Sequence, residues 1–151
     1  LTGLANRRKC EEYIKELETH TEKYCILCFD LNLLKKINDT YGHEKGDELI
    51  KRFADVLREV YSLYGITART GGDEFVAILN NVSVQETEKL ISDMLILIET
   101  KNKEEDILKL STAYGYAMSD EVADSNPHII YKLADDRMYE YKKKSKMGRN
   151  D

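Results

Sequence analysis

The run Arg69-Thr70-Gly71-Gly72-Asp73-Glu74-Phe75 sets two adjacent acids behind paired glycines, and Asp30 closes a much earlier apolar stretch. Carboxylates brought together repel one another, and a hard divalent cation relieves that repulsion. Glycines let backbone, and anything bound to it, approach closely. Magnesium held by one or two carboxylates completes its shell with substrate phosphates and water. Asp30, Asp73 and Glu74 together therefore point to chemistry on a phosphate-bearing ligand. Lys35, just beyond Asp30, offers a point charge for a phosphate beside the metal. Asn38 and Asp47 bound a polar segment. A carboxylate accepts from two N–H groups of guanine, and an Asn both donates and accepts, so this pair reads as a base contact. Singly, each residue also has an ordinary role: solvated turn acids, a solvated lysine, an Asx-turn, an acid near a helix start.

Those residues need elements to position them. Cys10, Tyr13, Ile14 and Leu17 recur at helical spacing over 6–20, with Asn6 as N-cap. Residues 23–31 are apolar almost throughout, which predicts a central strand. A polar, turn-rich stretch over 38–47 follows, then a helix to about Tyr61 with Leu49, Ile50, Phe53, Leu57 and Val60 on one face. Strands are predicted over 66–70 and 75–80, joined at Gly71-Gly72 as a hairpin. Leu90, Ile91, Met94, Leu95 and Ile98 mark an amphipathic helix over 84–100. A strand over 107–118 and a last helix opening at Ser125-Asn126-Pro127 complete the chain. Without its first and last helices, the order is strand, helix, strand, strand, helix, strand: an α+β, ferredoxin-like βαββαβ core with extra N- and C-terminal helices. In that arrangement the first two strands run parallel with the third between them. The end of the first strand and the turn after the second then share one sheet edge, which predicts Asp30, Asp73 and Glu74 close together.

The chain has 151 residues, enough for one domain, with 42% hydrophobic and 34% charged residues. That composition supports a real core and excludes a disordered chain. Lys plus Arg total 23 against 28 Asp plus Glu, a net charge of -5, which argues against a nucleic-acid-binding surface. No apolar run is long enough to span a membrane, so no membrane contact is expected of this segment. The start at Leu1 rather than Met is what a fragment of a longer protein with an upstream sensory part would show. Cys25 and Cys28 form a C-x-x-C, but three apart on a strand they face opposite ways. With Cys10, they read as core residues of a reducing cytoplasm. His20, His43 and His128 lack ligand spacing.

Four segments carry a resemblance. Leu1-Thr2-Gly3-Leu4-Ala5-Asn6-Arg7-Arg8 resembles the opening of a bacterial diguanylate cyclase (GGDEF) domain. Asp30 through Asp39, with Gly42-His43 and Gly46-Asp47, is similar to that family's metal and guanine segment. Gly71 to Phe75 is its signature intact, and Ala134-Asp135 through Met138-Tyr139 and Lys142 resembles its last helix. The resemblance implies the palm-like nucleotide-cyclase fold and condensation of two GTP into cyclic di-GMP with release of two pyrophosphates. It further implies magnesium, with manganese as an alternative, on Asp30, Asp73 and the Leu31 carbonyl. Glu74 would sit at the metal or at the ribose 3′-hydroxyl, helping deprotonate it. Asn38 and Asp47 would read guanine, Lys35 and Lys142 would hold the β- and γ-phosphates, and amides near Leu33 and Leu34 would assist. One domain offers one nucleotide site while each GTP must attack the other, so a homodimer is expected, with pairing as the point of control.

The sequence departs from the family at several places. Asn32 stands where most members have Asp, removing a charge near the metal. Leu33 and Leu34 replace two aromatics. Ser62 and Gly65 occupy the positions of an inhibitory Arg-x-x-Asp, so no product inhibition is expected through that surface. The Arg usual four residues after Lys142 is displaced: Lys146 holds the spacing and Arg149 the Gly-Arg motif, and either is a contact for the γ-phosphate. The alternative function is a catalytically silent GTP-binding and dimerisation module.

Overall fold

A computed structural model describes residues 1–19 and 22–147. His20 and Arg149 therefore lie outside the described residues, as does the Lys146 side chain. The elements are α1 (Arg7–Leu17), β1 (Tyr24–Leu31), α2 (Leu34–Tyr41), α3 (His43–Tyr61), β2 (Gly65–Arg69), β3 (Glu74–Asn80), α4 (Val84–Asn102), β4 (Thr112–Met118) and α5 (Pro127–Met147), with two short 3₁₀ turns before α5.

The strands form one sheet in the order β2-β3-β1-β4. Each neighbouring pair is antiparallel, so β1 and β2 run parallel with β3 between them. β1 is central and buried along its whole length. Its side chains alternate between faces. Cys25, Leu27, Phe29 and Leu31 pack with Phe53 and Leu57 of α3 and Met94 of α4. Tyr24, Ile26 and Cys28 pack with Cys10 and Ile14 of α1 and Ile130 and Ala134 of α5. The alternation sends Cys25 and Cys28 to opposite faces, as their spacing predicts. All three cysteines are free and buried. Burial pushes the Cys10 thiol up to about 11 and Cys25 to about 12, which keeps both protonated and inert. Phe53 joins α3 to the sheet through edge-on contacts with Phe29 at 6.1 Å and Phe75 at 5.0 Å.

Helix ends follow local chemistry. The Asn6 side chain accepts from Lys9 N at 2.8 Å, and Ser83 with Glu86 closes a capping box on α4. Pro127 opens α5 at the position where its missing N–H costs nothing. The opening segment lies along β2: Ala5 N donates to the Thr67 carbonyl at 3.2 Å, and Arg69 N donates to the Ala5 carbonyl at 2.9 Å. That segment covers the outer edge of β2.

Two expectations are corrected. Residues 38–47 are not a turn-rich stretch: α2 runs through Tyr41, and only Gly42, at φ 93, separates it from α3. Leu34 and Ile37 bury one face of α2, and that burial overrides the turn preference of Asn38-Asp39-Thr40. The last strand begins at Thr112 rather than near 107. Asn102 at the end of α4 occupies both backbone groups of Leu110, donating to its carbonyl at 2.8 Å and accepting from its N–H at 2.7 Å. A strand partner is thereby excluded at that residue.

Candidate functional site

Asp30 is the second-to-last residue of β1 and stands opposite Glu74, the first residue of β3. Two sets of bonds fix the turn between β2 and β3. Thr70 N and Gly71 N donate to the Glu74 carbonyl at 2.9 and 3.3 Å. The Arg69 guanidinium grips the Gly72 carbonyl through Nε at 3.2 Å and Nη2 at 3.0 Å. Leu31 N donates to the Asp73 carbonyl at 2.8 Å, which latches the turn onto β1. The Asp73 carboxylate consequently lies beside Asp30. Burial pushes Asp30 above the usual carboxylate range, the Lys142 hydrogen bond pulls it back, and Asp73 raises it again, for a net rise.

Lys142 reaches this pair from α5, with Nζ donating to Asp30 Oδ2 at 2.7 Å. Its placement depends on Gly115 in β4. A Cβ there would lie 2.2 Å from Met138 N and 2.6 Å from the Ala134 carbonyl oxygen, so only glycine lets α5 pack this close to the sheet. Asp30 Oδ1 is buried and has no hydrogen-bond donor among the described residues. An orphaned carboxylate oxygen beside a second carboxylate is a hard-oxygen donor set, and it fits a divalent cation.

The expected trio is a pair. Glu74 is exposed, and its carboxyl end turns back over Gly71, whose added Cβ would lie 3.3 Å from Glu74 Cδ. It lines a cavity of about 280 Å³ with Arg7, Glu11, Thr70, His128 and Tyr131. Among the described residues no group of three His, Cys, Asp or Glu side chains is arranged to hold a metal.

The segment after Asp30 supplies the rest. Asn32 is buried and donates from its amide to Ser111 Oγ at 3.0 Å. A carboxylate has no such donor, so Ser111 explains how Asn is accommodated here. Leu33 adopts φ 70, a left-handed conformation uncommon for a non-glycine residue. Among the described residues no side chain caps α2, which leaves amides of its first turn without a side-chain acceptor, a feature that anion sites at helix starts share. Lys35 is exposed on that same turn. Asn38 and Asp47 lie on α2 and α3 across the Gly42 break, Asn38 half-buried and Asp47 exposed. Gly46 makes room for Asn38, since a Cβ at 46 would lie 1.7 Å from Asn38 Oδ1. Arg69, Gly46 and Gly115 thus shape the surroundings of the candidate side chains Asp73, Asn38 and Lys142. None of the three gives a signal in the sequence: Gly46 reads there as a turn glycine, and its buried place inside α3 comes from the fold.

Ser62 caps α3, and Gly65 begins β2 opposite Leu79, at the far end of the sheet from Asp73. A Cβ at Gly65 would sit 1.8 Å from the Ile78 carbonyl oxygen. β2 pairing here leaves no space for an acidic side chain.

A family model described as diguanylate cyclase, GGDEF domain, matches residues 1–148. The chain is 31% identical over 156 residues to the probable diguanylate cyclase DgcT of Escherichia coli (strain K12), covering 99% of this chain and 34% of that protein. It is 29% identical over 159 residues to an uncharacterized membrane protein of Staphylococcus aureus (strain USA300), covering 99% and 43%. The chain thus spans less than half the length of these relatives. Among solved structures, the GGDEF domain of YfiN or TpbB from Pseudomonas aeruginosa matches with a TM-score of 0.81 at 27% identity, covering 95% of this chain and 93% of that one. The GGDEF domain of DgcB from Caulobacter crescentus, in complex with c-di-GMP, matches with a TM-score of 0.82 at 24% identity, covering 94% and 87%. No helix among the described residues is long and apolar enough to cross a membrane.

Proposed function

We propose that this chain, which belongs to the diguanylate cyclase GGDEF domain family, condenses two GTP into cyclic di-GMP and two pyrophosphates at the interface of a homodimer. One observation carries the reading: the buried, half-unsatisfied Asp30 carboxylate beside Asp73, with Lys142 above it and the uncapped start of α2 next to it. Asp30, Asp73 and the Leu31 carbonyl would hold magnesium, or manganese in its place. When bound, the metal neutralises triphosphate charge and lowers the pKa of the attacking 3′-hydroxyl.

The chain's own residues do the positioning, which is most of phosphoryl-transfer catalysis. Lys35 and Lys142 hold the β- and γ-phosphates, with the amides after Leu33 and Leu34 as further donors. Arg149, or Lys146, adds a γ-phosphate contact. Asn38 and Asp47 accept from and donate to the guanine edge and select it over adenine. Glu74, opposite Asp30, approaches the ribose 3′-hydroxyl as base or joins the metal after a side-chain rotation. Each domain binds one GTP and must receive its attacking hydroxyl from a second, so turnover follows the pairing of two copies, which further domains of the full-length protein can control. A GTP substrate would be met in the cytoplasm, so this reading puts the domain on the cytoplasmic side.

The reading is tested by incubating concentrated protein with GTP and magnesium and separating the nucleotides. Cyclic di-GMP with pyrophosphate is the expected product. Bound but unconverted GTP, in protein shown to be dimeric, would leave only a silent binding module.

A further inference from the structure

The Lys142–Asp30 pair is more buried than the ion pairs formed within single helices. Its side chains are only 25% and 11% exposed, whereas the i,i+4 pairs on α1 and α4 lie largely in solvent. One oxygen of Asp30 holds the ammonium and the other is buried with no donor. Asp73 adds a second negative charge beside them. A buried carboxylate without a counter-charge is costly, and Lys142 supplies one from within the chain.

Lysine suits an exchangeable role. Its ammonium is a compact charge on a flexible four-carbon stem. Lys142 lies near the C-terminal end of α5, and its stem can swing while the helix stays anchored at Gly115. We infer that Lys142 is an exchangeable internal counter-ion: it neutralises Asp30 in the nucleotide-free chain, competes with the divalent cation for that carboxylate, and gives it up when a triphosphate offers the ammonium a replacement anion. The inference rests on the cyclase reading of this site and adds an order to it. A cation arriving alone has to strand a half-buried lysine. A cation arriving with a triphosphate does not. Metal and nucleotide loading are therefore coupled through one side chain, and the coupling is reciprocal.

The test uses Mn²⁺ alone, with no nucleotide, titrated into the whole chain while the paramagnetic resonance signal of the free aqua ion is followed. The variants are Lys142→Met, which keeps the stem and removes the charge, Lys142→Arg, which keeps the charge, and Asp30→Asn. K142M is expected to bind Mn²⁺ at least about tenfold more tightly than wild type, the scale of releasing one partly buried pair. K142R stays near wild type, and D30N loses binding. Mn²⁺ also raises the melting temperature of K142M more than that of wild type. Lys142→Gln gives the same readout should K142M fail to fold. Equal or weaker binding by the neutral variants overturns the counter-ion role. If D30N still loses binding in that case, the metal site stands and only the exchange falls. If D30N binds as wild type does, the site reading falls with it.

Discussion

Gly46→Ala separates stability from substrate reading. Alanine in a helix interior is favoured over glycine by roughly 0.5–1 kcal/mol. The new Cβ would meet Asn38 Oδ1 at 1.7 Å and Asn38 Cγ at 2.8 Å. Both atoms belong to a side chain that can turn, so the helices hold and Asn38 moves. Forcing it off its rotamer costs roughly 0.5–1.5 kcal/mol. The two effects nearly cancel, and the melting temperature should stay within about 4 °C of wild type for a domain of this size. Function has no such offset. With Asn38 turned away, the base contact proposed for it is lost and a polar edge of guanine goes unpaired, at roughly 1–3 kcal/mol, or about 5- to 150-fold in kcat/KM for GTP. The assay is steady-state pyrophosphate release against GTP concentration, with ATP as comparison, alongside thermal melts. The Asn38→Ala background supplies the control, since G46A should cost almost nothing once the Asn38 amide is absent. G46A with unchanged kcat/KM, or with an equal loss in the Asn38→Ala background, would refute the positioning role.

Asp73→Ala should abolish turnover while leaving the fold in place, because Asp73 lies in a turn held by the Arg69, Leu31 and Glu74 contacts rather than in the core; unchanged circular dichroism with residual turnover above about one part in a hundred would count against it. Gly115→Ala places a Cβ against the α5 backbone at 2.2 and 2.6 Å, and overpacking of this kind costs roughly 1–3 kcal/mol, read as a melting temperature lower by several degrees. Glu121 is held below its ordinary value of 4.5, first by the Arg137 hydrogen bond at 2.7 Å and then by the Met118 N–H. Its folded value is depressed, so its contribution is complete above pH 4.5 and is lost as pH falls through the lower folded value. Glu121→Gln should therefore flatten the acid limb of urea stability measured from about pH 6 down to about pH 3, and an unchanged slope would remove the pair from the account.

The strands, the faces of β1 and the meeting of Asp30 with the Asp73 turn were legible in the sequence because they depend on local periodicity and strand order. Side chains alternate with period two wherever a strand forms, and a βαββαβ order leaves one arrangement that brings those two stretches to the same edge. The helix starts read at Asn6 and Pro127 were equally local. Other features depend on residues far apart in the chain, and composition says nothing of them. Whether Asn38-Asp39-Thr40-Tyr41 turns or continues a helix was decided by the burial of Leu34 and Ile37 under the fold. Whether Glu74 joins Asp30 was decided by side-chain direction at Gly71. That Lys142 seats on Asp30 follows from how closely α5 approaches β4 at Gly115. Residue types and their spacing along the chain determined which groups can share an edge; tertiary packing alone decided which atoms touch, because a contact between distant residues exists only once the elements between them are in place.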